Sequence, residues 1–202
     1  MQRTVLDGLE GFQYRRIYTP QRTVVERVES PSLPEARESP RLSFAGHVRD
    51  SKWDHHHVSY FLGYSFWYYL NLPFCFTLPG FKTREVDVHE EGGEEWRVLE
   101  VTFPDYVATH NPVQLFYYDK DYQLRRMDYK AQVVSDVVVV KHYCYDHKTF
   151  SGLRFPTLRR VHSFSSCSTS FLIDILNIRV NFKDDEPSQE HPRLDYTSVS
   201  LA

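Results

Sequence analysis

Alternation between apolar and polar residues recurs along most of this chain and predicts β-strands. The alternating or aromatic-rich segments are residues 12–18, 23–28, 83–90, 96–103, 113–118, 122–129, 132–146, 153–164 and 171–182. Turn signals such as Gly92-Gly93 and Ser151-Gly152 separate neighbouring segments, so each strand can return beside the one before it. The pattern therefore predicts an antiparallel meander. Pro156 lies inside one of these segments, where it predicts a sheet edge or a bulge.

One segment has the spacing of a buried helix. Residues 55–71 follow Asp54, a favourable N-cap residue, and end before Pro73, which cannot continue a helix. Apolar side chains cover one broad face, and a second aromatic stripe at i, i+4, i+7 consists of Tyr60, Tyr64 and Trp67. A helix that is apolar nearly all round is buried nearly all round. The predicted fold class is mainly β: a curved antiparallel sheet or half-barrel wrapped around one long aromatic-rich helix.

The domain organisation follows from two changes in composition. Residues 30–41 contain three prolines among polar residues and predict an extended, solvated connector. Residues 183–202 are acidic and polar and predict a mobile tail. Residues 1–182 are expected to form a single β-rich domain, large enough to bury a core without disulfides or metal.

Composition narrows the function classes. Aromatic residues make up 15% of the chain, which favours β-structure, and a net charge of −3 argues against a nucleic-acid partner. Three cysteines without a motif, and no apolar run at the start, are typical of a cytoplasmic protein with reduced thiols. Residues 58–81 carry no formal charge, but tyrosines and prolines are spread throughout them, so we predict a buried helix and no membrane span. The oligomeric state is left open.

The metal-binding patterns are weak. Three consecutive histidines, His55 to His57, point about 100° apart on a helix and cannot converge on one ion, so a polar first turn is expected. His142, Cys144 and Asp146 alternate along a strand and should share a face, but the sequence indicates no further ligand. We therefore predict no metal. Phosphate-binding, dinucleotide-binding and redox motifs do not occur, and we predict no cofactor.

Four residues are candidates for acid–base catalysis. They are His110 and His147, as general bases, and Asp105 and Asp146, as the carboxylates that would orient them. His110 lies in a predicted turn, and turn residues often line functional sites. A solvated or capping role is the alternative for each of the four.

Aromatic residues are candidates for lining a ligand pocket between the helix and the sheet. The predicted ligand-binding residues are Tyr60, Tyr64, Trp67 and Tyr68 on the helix and Tyr117, Tyr143 and Tyr145 on strands, with His142 as a polar contact. Ligand pockets are mostly apolar with a few polar groups. Ordinary core packing is the alternative, because aromatics at helical spacing often just fill volume.

Several short runs together resemble a family of uncharacterised bacterial proteins. They are residues 44–50 (FAGHVRD), 60–64 (YFLGY), 70–74 (LNLPF), 102–105 (TFPD), 108–110 (ATH), 116–119 (FYYD), 124–126 (LRR), 146–147 (DH) and 155–157 (FPT). The resemblance covers residues 24–182, from Val24 to Phe182. It implies an architecture similar to the lipoprotein-carrier (LolA/LolB-like) fold, whose members hold acyl chains or hydrophobic small molecules. One protein of that shape is a cofactor-free enzyme of pigment biosynthesis.

Three hypotheses about function follow. The first is a binding protein for a hydrophobic or aromatic small molecule. The second is a cofactor-independent enzyme, an isomerase, cyclase or lyase, that would use His110 or His147 with Asp105 or Asp146 and a tyrosine. The third is a protein whose aromatic surface docks a partner chain.

Overall fold

Two antiparallel sheets form the framework of the protein. The computed structural model describes residues 1–8, 14–28, 33–48, 50–163 and 169–181. In this part of the chain the small sheet has four strands in sequence order: β1 (Thr4–Asp7), β2 (Tyr14–Tyr18), β3 (Arg22–Arg27) and β4 (Glu35–Glu38). The large sheet is a seven-stranded meander of β5 (Lys82–Glu91), β6 (Glu94–Thr102), β7 (Val113–Tyr118), β8 (Leu124–Lys130), β9 (Val139–Phe150), β10 (Leu153–Ser163) and β11 (Thr169–Asp174). The mainly β, antiparallel fold class is confirmed.

A single long helix, α1 (His55–Asn71), begins and ends at the predicted residues. The Asp54 side chain accepts a hydrogen bond from the His57 backbone at 2.9 Å, and the Asp54 backbone donates to Nδ1 of His57 at 3.2 Å. His57 thus completes a capping box, a role usually filled by Glu or Gln. His56 is buried, and its Nδ1 lies 3.0 Å from Oγ1 of Thr23. Instead of forming a solvated first turn, His57 caps the helix and His56 bonds to the small sheet.

The small sheet packs closely on α1 through a glycine. A Cβ atom on Gly63 would lie 2.3 Å from Cβ of Tyr18, far inside contact distance. The Thr4 hydroxyl donates to the Gly63 carbonyl at 2.8 Å. Gly63 therefore allows the helix and strand backbones to approach, and this contact sets the position of the helix.

The large sheet covers the helix from another side. Its inward residues join the helix aromatics in one core, with Tyr64, Phe66 and Tyr68 on α1 packed with Val101, Phe116, Met127 and Cys144. A second, smaller cluster on the opposite face of this sheet contains Trp96, Val98 and Tyr117. The helix is thus enclosed by β-structure, as the sequence predicts. No helix in the described residues is both long and apolar enough to cross a bilayer.

Several local predictions differ from the structure. Strand β1 was not predicted, and residues 35–38 of the predicted connector pair with β3 as strand β4. β9 begins at Val139, seven residues after the predicted start at residue 132. Pro156 lies in β10, an inner strand between β9 and β11, so the prediction of a sheet edge is wrong. The pairing of β9 with β10 is instead interrupted next to Pro156, where Thr157 lies opposite Asp146, whose φ is +54°. The predicted tail, residues 183–202, lies outside the described residues.

Candidate functional site

A chain of hydrogen bonds runs through the interior between α1 and the large sheet. The Tyr64 hydroxyl lies 2.9 Å from Nδ1 of His110, and the Tyr69 hydroxyl lies 2.8 Å from its Nε2. Tyr69 also contacts the Tyr129 hydroxyl at 3.2 Å, which in turn lies 3.1 Å from Nδ1 of His142. The His110 ring stacks on Tyr129 with centroids 4.0 Å apart. All five side chains are buried, so they bond to one another in place of water.

Arg159 on β10 lies at the end of this chain. Its side chain is buried, and its guanidinium Nη1 lies 3.4 Å from Nε2 of His142 and 3.3 Å from Sγ of Cys144. Nη2 donates to the Tyr69 carbonyl at 3.2 Å, and the guanidinium carbon lies 4.9 Å from the centre of the Tyr69 ring. Within the described residues, no carboxylate lies within 4.0 Å of Arg159. A buried cation is thus held by neutral acceptors and a π-face.

The buried chain carries no charge up to Arg159. Burial, together with the nearby charge of Arg41, lowers the pKa of His110 well below its usual value; burial and then Arg159 do the same for the pKa of His142. Burial raises the pKa of the Tyr64 and Tyr129 hydroxyls. A neutral imidazole has one donor and one acceptor nitrogen, so of the two hydroxyls at His110 one donates and the other accepts.

A cleft of about 340 Å³ opens where the loop between β6 and β7 meets α1. Its walls are Pro20, Gln21, Arg41, Tyr60, residues 103–109, Asn111, Pro112 and Gln132. Arg41 is fixed in the wall by Nη1 donating to the Thr109 carbonyl at 3.1 Å and Nη2 donating to Oε1 of Gln132 at 3.2 Å. The Tyr60 hydroxyl lies 3.5 Å from Nη1 of Arg41. Thr109 lines the cleft, and the next residue, His110, belongs to the buried chain of hydrogen bonds. The cleft and the buried chain are therefore adjacent.

The structure divides the predicted ligand-binding residues into three groups. Tyr60 lines the cleft. Tyr64, Tyr68 and His142 lie in the packed interior, where the Tyr68 ring contacts the Tyr69 ring at 4.6 Å, and Trp67 is half-buried at the margin of the same core. The third group, on the opposite face of the large sheet, consists of Tyr117, Tyr143 and Tyr145.

The opposite face has its own charged cluster. Arg126 is buried there, with its guanidinium 4.3 Å from the Tyr117 ring centre and 5.7 Å from that of Tyr143. It donates to Asp128 and to Glu91, each at 2.5 Å. Arg126 and Glu91 also contact His89, so the charges of the cluster are paired within it, which is typical of a structural role. Tyr117 and Tyr143, two of the predicted ligand-binding residues, therefore pack against the Arg126 ion pair on this face.

The four acid–base candidates do not come together. His110 is in the buried chain, Asp105 is exposed in the cleft wall, and Nε2 of His147 lies 3.1 Å from the Leu124 carbonyl. Asp146 accepts a hydrogen bond from the Thr157 hydroxyl and pairs with Lys148 at 3.0 Å. In the described part of the chain, no carboxylate hydrogen-bonds to either histidine. An orienting Asp–His pair is therefore not formed.

The predicted shared face of His142, Cys144 and Asp146 is also broken. His142 and Cys144 point inward and are fully buried, whereas the positive φ of Asp146 turns its side chain out to solvent. Over residues 1–163 and 169–181, apart from their undescribed gaps, no group of three or more His, Cys, Asp or Glu side chains is placed to hold a metal ion.

Sequence reasoning missed the residues that connect the chain: Tyr69, Tyr129 and Arg159. One signal was available for Arg159. It occupies the same alternate positions of β10 as Phe155, Thr157 and Val161, all of which are buried. An arginine at an inward position of a strand indicates a buried partner. Nothing local indicated that Tyr69 and Tyr129 would meet, because they lie 60 residues apart.

Comparison with known proteins gives similarity of fold alone. No protein-family model and no curated protein matches the sequence. Among solved structures, a LolA superfamily protein from Nitrosomonas europaea shares 9% identity at a TM-score of 0.39, over 80% of this chain and 69% of that one. A DUF1329 family protein from Desulfovibrio piger shares 13% identity at a TM-score of 0.37, over 74% of this chain and 63% of the other.

Proposed function

We propose that the protein binds a small hydrophobic or aromatic molecule in the cleft beside α1. The observation that carries this proposal is the composition of the cleft walls. The apolar part includes Phe103, Pro104, Val107, Ala108 and Pro112, and the polar part includes Gln21, Arg41, Tyr60, Asp105, Thr109, Asn111 and Gln132. A wall that combines apolar surface with fixed polar groups can both bury an apolar body and orient it, and about 340 Å³ suits a small molecule.

The packing behind the cleft supports the same proposal. Arg41 and Tyr60 are held by the Thr109 carbonyl and by α1, which are themselves anchored in the core. Side chains fixed before binding lose little conformational freedom when a ligand arrives. The cleft is therefore preorganised, and an apolar ligand would gain the full benefit of leaving water.

Calorimetric titration with two neutral probes, 1-octanol and 2-naphthol, tests the proposal. Ala108→Phe places a ring in the cleft wall, and Ala45→Phe adds the same ring at an exposed position outside it. We expect at least one probe to bind the unaltered protein and Ala45→Phe, and Ala108→Phe to weaken that binding by about tenfold or more. Far-ultraviolet circular dichroism confirms that both variants fold. If neither probe binds, or if Ala108→Phe binds as well as Ala45→Phe, the proposal is wrong.

A second candidate is a cofactor-independent enzyme, an isomerase, cyclase or lyase acting in the same cleft. The buried chain favours it, because His110 and its tyrosine partners lie directly behind Thr109 of the cleft wall. Incubation with a metabolite extract of the host, followed by mass spectrometry, separates the two candidates. An enzyme would deplete a compound with the unaltered protein and fail to do so with Tyr69→Phe, which removes the hydroxyl between His110 and Tyr129. A binding protein would leave the extract's composition unchanged in both samples.

A further inference from the structure

We infer that the ligand of the cleft is an acid with an apolar body, and that Arg41 binds its carboxylate. This inference rests on the proposed function and adds the chemical class of the ligand. Arg41 lies in the short 3₁₀ helix Pro40–Phe44 and is half-buried in the cleft wall. Its contacts there are the Thr109 carbonyl, the Gln132 side chain and the Tyr60 hydroxyl, all of them neutral.

Arg41 lines the cleft without a counter-charge among the described residues, unlike Arg37. Arg37, four residues earlier, pairs with Asp54 at 2.6 Å. Carboxylates also lie within 4.0 Å of Arg15, Arg22, Arg84, Arg97, Arg125 and Arg126. Within the residues that the structure describes, none lies within this distance of Arg41. The described residues also place no carboxylate within this distance of Arg159, which is sealed in the core, or of Arg3, Arg27, Arg154, Arg160 and Arg179, which lie outside the cleft wall. Arg41 differs from them because it lines the cleft.

The field of Arg41 acts on the walls around it. Burial raises the pKa of the Tyr60 hydroxyl, and the positive charge of Arg41 partly opposes this rise. At His110 burial lowers the pKa, and Arg41 lowers it further. These groups stay uncharged, so they do not neutralise the guanidinium. An ion pair formed beside a low-dielectric wall is stronger than one in open water. A carboxylate is also the group that a guanidinium fork binds best, through two parallel hydrogen bonds.

Among the described residues that line the cleft, Asp105 is the other charged side chain. It is exposed and lies beyond 4.0 Å from Arg41, so water and salt screen it. Its carboxylate would repel an acidic ligand weakly, and removing it should strengthen acid binding by a small factor. A ligand with a positive group beside its carboxylate would instead lose affinity in Asp105→Asn.

The experiment compares 2-naphthoate with 2-naphthol, which share one ring system and differ in charge at neutral pH. We expect 2-naphthoate to bind the unaltered protein about tenfold more tightly than 2-naphthol, and Arg41→Gln to weaken 2-naphthoate binding more than 2-naphthol binding, so that this preference is lost. Arg84→Gln removes an equal charge from an exposed site on the large sheet and should keep the preference. Arg41→Lys should keep part of it, which guards against a folding defect in Arg41→Gln.

The outcomes separate the two proposals. Binding of 2-naphthol without any preference for 2-naphthoate, or a preference that survives Arg41→Gln, would overturn the inference and leave the binding function standing. Failure of both probes would overturn the binding function itself. Weaker 2-naphthoate binding in Asp105→Asn would also contradict the inference, because a simple acid gains from that substitution.

Discussion

The two faces of the large sheet each bury an arginine, and each neutralises it differently. Arg126, on the face turned away from α1, donates to two carboxylates, Asp128 and Glu91, at 2.5 Å each. Arg159, on the face turned toward α1, has a histidine, a thiol and a backbone carbonyl as acceptors. The first is an ion-pair cluster, and the second is a cation stabilised by dipoles and one aromatic face.

Access to water explains the difference. The carboxylate side chains of Glu91 and Asp128 keep 32% and 12% of their exposure, so they lose only part of their hydration when they pair with Arg126. The inward face is covered by α1, and a carboxylate there would be fully desolvated. Neutral tyrosine and histidine side chains cost less to bury when each finds a partner. The inward face has accordingly evolved a hydrogen-bonded chain rather than an ion pair.

Arg126→Met should produce the largest loss of stability. It leaves Asp128 and Glu91 close together without their cation, and removing one partner of a buried ion pair costs about 3–5 kcal/mol. Urea unfolding at neutral pH measures the loss. Arg97→Met removes an arginine from an exposed ion pair with Glu85 and should have a much smaller effect. Equal losses in the two variants would show that the outward cluster is not desolvated.

Arg159→Met should cost less than Arg126→Met. It strands no carboxylate. The unpaired Nε2 of His142 and the Tyr69 carbonyl cost about 1–3 kcal/mol each, and this loss is partly offset because a buried charge is removed. Arg160→Met, at the next position on the exposed side of β10, is the matched control and should be nearly neutral. The same urea series measures all three variants. An Arg159→Met loss as large as that of Arg126→Met would point to a charged partner and break the comparison.

The smallest expected change in the free energy of unfolding, for each unit of pH, comes from protonation of the two inward histidines, His110 and His142. Burial lowers the pKa of these histidines in the folded protein. Below about pH 6.5, the usual pKa of histidine, they are therefore protonated in the unfolded chain but stay neutral in the folded one. Stability is therefore complete above that pH and falls as the pH drops, by up to about 1.4 kcal/mol per pH unit for each histidine. His56 and His147, whose pKa values burial also lowers, add to this slope.

Urea midpoints between pH 7.5 and 5.0 measure this dependence, and this range avoids most carboxylate titration. His110→Gln should flatten the slope, because glutamine does not titrate. A slope equal to that of the unaltered protein would mean that His110 is already protonated in the folded state. That result would contradict the neutral chain on the inward face.

Local sequence signals predicted the secondary structure well, and α1 shows why. Asp54 and Pro73 act on the backbone within a few residues, so the helix boundaries are properties of the local chain. The hairpin signals at Gly92-Gly93 and Ser151-Gly152 are local in the same sense, and both glycines of the first pair have positive φ. Strand β1 was missed because it is only four residues long, and its alternation is too short to recognise.

The faces of the strands could not be predicted in this way. In β9, tyrosines at 143 and 145 alternate with His142 and Cys144, and an apolar pattern would turn the tyrosines inward. The structure turns His142 and Cys144 inward because His142 finds the Tyr129 hydroxyl and Arg159 there. Tyr143 instead packs near Arg126 on the other face. Partners from other strands decided the orientation.

The sequence by itself determined the mainly β class, the helix and most of the strands, because caps, turns and alternation act over a few residues. Only the tertiary structure decided which side chains share the interior, which arginine lacks a carboxylate and where the cleft opens. Tyr69 and His110 are 41 residues apart, and Arg159 reaches the Tyr69 carbonyl across 90 residues. Such contacts form only when α1 is packed between the sheets, since hydrogen bonds and desolvation depend on distance in space and not along the chain.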